Sequence, residues 1–236
     1  MTSRELLLMV IPAAVALAGG VLAALWHPSH RARSLIQHFA AGVVLAALAV
    51  EVLPEIERAH ANPRALILPF ALGSLFMYGL KLFSERLESA GGAGGLSKGL
   101  VLATFIDVAV DGFIIGAGFA AGGATGPVLA IGLSVELLFL GLALTSDTPG
   151  GARIIALAGG LGATVFGAAI AGKALLAGAS HATIAAALSF SAAALLYLVT
   201  EELLVEAHEG LEEETPWSTL VVFGGFLAFW SIQLAG

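Results

Sequence analysis

Apolar residues fall in eight long runs, each about the length of a membrane crossing, with the polar residues gathered between them. The runs cover residues 6–26, 35–53, 65–83, 99–121, 127–145, 154–176, 182–204 and 217–234. The connections 27–38, 55–64, 84–98, 146–153 and 206–216 hold most of the charge. A crossing takes about 20 apolar residues, so a chain of 236 divides into eight spans with little left for loops. The pattern predicts an all-α integral membrane protein of eight transmembrane helices, a single domain over 1–236. Met1-Thr2-Ser3-Arg4-Glu5 runs into the first span without a small-residue cleavage site, which predicts a retained helix. Gly91-Gly92-Ala93-Gly94-Gly95 is the one flexible-linker signal.

Composition sharpens this picture. The apolar fraction is 58%, the charged fraction 11% and the mean hydropathy +0.97, so lipid rather than water is the solvent for most of the chain. Thirty glycines, many of them inside apolar runs, suit close helix packing in lipid. The net charge of -7 argues against nucleic acid and other anionic partners and is compatible with a cationic substrate. With no cysteine there are no disulfides, thiolate ligands or thiol nucleophiles. No Gly-x-Ser-x-Gly or His-Glu-x-x-His string is present, and no enzymatic activity or resident cofactor is expected. Lys and Arg counted at the span ends favour an N-out, C-out orientation in a cell membrane.

The chemistry lies in acids inside the spans. Asp107 and Asp111 are four residues apart in the fourth run, on one helix face with Cβ atoms about 6 Å apart. An ionised Asp at bilayer depth costs at least roughly 2.5–3.5 kcal/mol, and a bound dication offsets that cost for both. Glu136, alone in the fifth run, would complete a three-carboxylate site, with Ser134 as a weak oxygen ligand. Glu51 and Glu55 share a face at the end of the second run, and Glu202 and Glu206 at the end of the seventh. They are candidate stations on a cation pathway, with His60 and His208 as interfacial ligands. His27, His30 and His38 flank basic residues and are read as marking the membrane surface. The run from Glu209 to Glu214 is read as a solvated acidic loop.

One internal repeat is visible. Laying Glu51 on Glu202 aligns Leu48-Ala49-Val50-Glu51-Val52-Leu53-Pro54-Glu55 with the string around Leu198-Val199-Thr200-Glu201-Glu202-Leu203-Leu204-Val205-Glu206. Spans two and seven would cross in opposite senses, as in transporters built from inverted repeats.

These strings resemble the ZIP (Zrt/Irt-like) metal transporters. Residues 42–55 look like that family's second helix, which ends in His-Leu-Leu-Pro-Glu, and residues 196–208 are similar to its seventh. Asp107–Gly112 stands where the family has His-Asn-x-Pro-Glu-Gly, so Asp107 takes the histidine position and Asp111 the glutamate position. Val108 replaces the metal-binding Asn, Val110 the proline, and the sixth span lacks the family's glutamate. The resemblance implies a ZIP-like 3+2+3 arrangement, homodimers and elevator-type alternating access. Helices one, four, five and six (about 5–27, 98–122, 126–146, 152–177) would be the transport bundle. Helices two, three, seven and eight (about 34–60, 64–87, 181–208, 216–235) would be the scaffold. The expected function is secondary transport of a divalent cation, with zinc, manganese, iron and cobalt all admissible at an all-oxygen site. The alternatives are a proton-coupled transporter of another solute and a non-transporting ZIP-like sensor or scaffold.

Overall fold

A computed structural model describes residues 2–25, 29–90, 98–143, 150–209 and 216–235, without the side chains at 30, 87–90, 98–100, 143, 206, 208–209, 216 and 218. The glycine linker and most of the acidic run lie outside the described residues, as does His27. Within them the chain is helical apart from short turns, with no strand. The rods are α1 (Ser3–Leu25), α2 (30–58), α3 (Pro63–Ala90), α4 (Lys98–Ala121), α5 (Thr125–Ala143), α6 (Gly151–Leu175), α7 (181–209) and α8 (Pro216–Ala235). Seven are long and apolar enough to cross a membrane, and α8 presents a shorter described apolar stretch, Thr219–Ala235.

Helices α2 and α7 are built alike. Each starts on a serine whose hydroxyl accepts a backbone N–H three residues on: Ser29 from Ala32 at 3.3 Å and Ser180 from Thr183 at 3.2 Å. Each then widens into a π-helical turn, Leu48–Val52 and Leu198–Leu203, before resuming as an α-helix. In α2 the widening has a local cause. Pro54 has no N–H and its ring would clash with the carbonyl four residues back, so the ladder shifts by one, and Leu53 N–H donates to Leu48 O. The same turn forms in α7 without a proline. Glu51 and Glu202 stand equally far past the capping serines (29 to 51, 180 to 202), and both belong to these turns.

The largest helix contacts are α4 with α6, α1 with α5 and α6, α2 with α8, and α3 with α7. Exchanging α1 with α6, α2 with α7, α3 with α8 and α4 with α5 leaves that set unchanged. It also maps the smaller α2–α5 contact onto α4–α7. Lipid gives helices no hydrophobic drive to associate, so approach depends on small residues. At Gly112 an added Cβ would meet Val165 O of α6, and at Gly225 it would meet Phe39 O of α2. The α1–α5 contact is equally tight, with Gly19 2.6 Å in the same sense from Leu138 O. The core runs through Val44, Val108, Ile115, Leu133, Leu137 and Leu195, while Leu68, Leu75, Phe223 and Leu227 face outward.

Candidate metal centre

Asp107 and Asp111 project from the middle of α4. Asp111 is about 20 Å from the start of that helix and about 15 Å from its end, at 1.5 Å per residue. The helix runs unbroken through Val110, where the resemblance would have put a proline, so the i, i+4 relation holds and both acids share a face. Val108 points into the core with 0% exposure. Gly112, next to Asp111, lets α4 close on α6 and fixes the height and rotation at which Asp111 is presented.

Glu136 comes from the middle of the neighbouring helix α5. Each of Asp107, Asp111 and Glu136 offers a carboxylate oxygen within 4.8 Å of the other two. Asp111 is 2% exposed, Glu136 5%, and Asp107 partly buried. Oxygens bound to one ion at 2.0–2.6 Å can stand no more than about 4–5 Å apart, so the cage already has the size for a dication. Asp111 Oδ2 is buried with no hydrogen-bond partner among the described residues, which leaves its lone pairs for an incoming cation. Glu202, on the π turn of α7, is half-buried and close enough to act electrostatically on Asp111.

Several of the remaining candidates have other partners among the described residues. Ser134 lies two residues from Glu136, on the opposite side of α5, and its hydroxyl donates to Ala130 O at 2.6 Å. Glu51 is buried, accepting from Thr125 Oγ1 at 2.8 Å and from Gln233 Nε2 at 3.0 Å. Glu55 pairs with Arg58 at 3.0 Å, an exposed i, i+3 contact. His60 is exposed in a left-handed turn (φ 46°) that ends α2, with its N–H donating to Glu57 O. The side chains of Glu206, His208 and His30 lie outside the described residues.

Three features were not anticipated from sequence. His38, expected at the membrane surface, is 1% exposed: its Nδ1 lies 2.8 Å from Ser34 O, and Ser34 Oγ donates to Ala207 O at 2.7 Å. This correction has a simple cause, since α2 starts at His30 and packs its first turns against the end of α7, which covers His38. Thr125 and Gln233 carried no sequence signal, because only the fold brings them to Glu51. Lys173 of α6 pairs with Glu5 of α1 and lies 5.8 Å from the Phe119 ring centroid of α4, tying three helices at one end.

No protein-family model matches this chain, and no curated protein matches it. The fold and the acidic cage define a class, a helical protein of membrane-crossing composition with buried carboxylates at mid-helix, and the function rests on that geometry.

Proposed function

We propose that this protein is a secondary transporter of a divalent transition-metal cation, with Asp107, Asp111 and Glu136 as the mid-membrane site. One observation carries the reading. Three carboxylate oxygens from two adjacent apolar helices converge to within 4.8 Å, far from either helix end. Without a cation such an arrangement costs both desolvation and mutual repulsion, and ionisable groups at bilayer depth mark ion pathways by default. Oxygen ligands alone discriminate weakly among manganese, iron, zinc and cobalt. The transported ion is substrate, so no resident cofactor is assigned.

Two groups of helices follow from the packing. Helices α1, α4, α5 and α6 hold one another through the largest contacts, and the Lys173–Glu5 pair staples that group at one end. Helices α2, α3, α7 and α8 form the second group. This division supports the ZIP-like arrangement, with the first group moving as a transport bundle against a dimeric scaffold in a cell membrane. The exchange pattern among the contacts supports the inverted repeat, with α4 and α5 and their ligands at its axis. Glu202 is the pathway residue on the cage's flank. Manganese flux into proteoliposomes tests the proposal: Asp107→Ala and Asp111→Ala are expected to abolish it, and wild-type flux in both would refute it.

A further inference from the structure

Glu51 is a buried carboxylate that the cage does not use. Its Oε1 faces Thr125 Oγ1 at 2.8 Å, its Oε2 faces the Gln233 amide at 3.0 Å, and the three residues come from α2, α5 and α8. Thr125 is 1% exposed and Glu51 7%. All three side chains carry cation-ligating oxygen. Threonine offers its hydroxyl lone pairs, and turning the glutamine amide by 180° exchanges its N–H donor for a carbonyl oxygen. Thr125 Oγ1 and Glu51 Oε1, 2.8 Å apart, have the spacing of neighbouring oxygens around a single dication at 2.0–2.4 Å, which is about 3 Å. Thr125 opens α5 and Glu136 lies further along the same helix, about 16 Å away at 1.5 Å per residue.

We propose that Glu51, Thr125 and Gln233 form a second cation site, an all-oxygen station near the end of the membrane crossing that exchanges dications with the central cage. Its role as a station rests on the transport reading above; its capacity to bind does not. When no cation is present, the two hydrogen bonds satisfy the Glu51 carboxylate and keep the site closed. A cation replaces them with ligation by the same three side chains. The site is weaker than the cage, having one formal negative charge against three.

Binding of Mn2+ alone to the purified full-length protein in detergent, measured by equilibrium dialysis, tests this. Wild type is expected to bind two ions of unequal affinity. Glu51→Gln should lose the weaker ion, with a drop of at least roughly tenfold, and keep the tighter one. Asp111→Asn should show the converse, and Thr125→Ser should behave as wild type. If Glu51→Gln does not fold, Thr125→Ala and Gln233→Ala decide: each should weaken only the second ion, by roughly tenfold. The proposal is overturned if Glu51→Gln binds as many ions as wild type, if wild type binds only one ion and Asp111→Asn abolishes it, or if both alanine variants bind as wild type. If Asp111→Asn and Asp107→Asn retain both ions while Glu51→Gln loses one, the cage reading fails and the outer site stands.

Discussion

Removing one charge from the cage should separate its two energetic roles. With oxygens no more than 4.8 Å apart, each ionised pair repels by at least about 3.5 kcal/mol at an effective dielectric of about 20. Asp111 takes part in two of the three pairs. Asp111→Asn keeps the size of the side chain and leaves an amide that can donate to the neighbouring carboxylates. The metal-free variant is therefore expected to be at least as stable as wild type, against the usual direction for a change at a 2%-exposed position. The dication response should move the other way. At 100 times its dissociation constant a ligand of the native state adds about 2.7 kcal/mol, or roughly 5–10 °C in Tm for a chain of this size. Thermal unfolding in detergent, with and without millimolar Mn2+, reads both effects. Wild type should gain several degrees with metal and the variant almost none. A variant that is clearly less stable without metal, or that keeps the metal shift, would refute the electrostatic account.

Two further substitutions check the frame around the cage. Gly112→Ala puts a methyl against Val165 O and Ala168 of α6, so it should cost about 1–3 kcal/mol in thermal unfolding and lower manganese flux by displacing Asp111. Ser134→Ala removes a hydroxyl that donates only to Ala130 O on the far side of α5 from Glu136. It should leave the metal-induced Tm shift unchanged and cost less than about 1 kcal/mol.

The apolar runs coincide with described helices, seven of them long and apolar enough to cross a membrane, because lipid leaves a long helix almost no alternative. The second apolar run stops at Leu53, whereas α2 continues to Arg58, close to the bound of about 60 that the resemblance implied, because a π turn absorbs Pro54. The Asp107–Asp111 pair was legible because both acids lie on one helix and helix geometry alone puts them together. The approach of Glu136 was not derivable, as it depends on how α5 rotates against α4. The Glu51–Thr125–Gln233 cluster was still less accessible, since residues 51, 125 and 233 meet only through tertiary packing. His38 misled for the complementary reason. The stretch before it in sequence holds Arg31 and Arg33, while its neighbours in space are the end of α7 and its own first turn.

The lack of native cysteine opens a direct test of the two-group division. A Cβ added at Gly132 of α5 would lie 3.2 Å from the Ala47 Cβ of α2, across the boundary between the groups. A Cβ added at Gly151 of α6 would lie 3.3 Å from the Ala24 Cβ of α1, inside one group. Both separations are just short of the 3.5–4.5 Å of a disulfide, so small backbone adjustments suffice for either bridge. Oxidising the Ala47→Cys/Gly132→Cys pair should arrest manganese flux in proteoliposomes, and reduction should restore it. Oxidising Ala24→Cys/Gly151→Cys should leave flux near that of its reduced form, since the bridged helices travel together. The two pairs share the same chemistry and nearly the same geometry, so a difference between them reports relative motion rather than the cost of a crosslink. Undiminished flux through the oxidised boundary pair would mean that α5 does not slide against α2, and the cage would then have to exchange its ion without the movement of one helix group past the other.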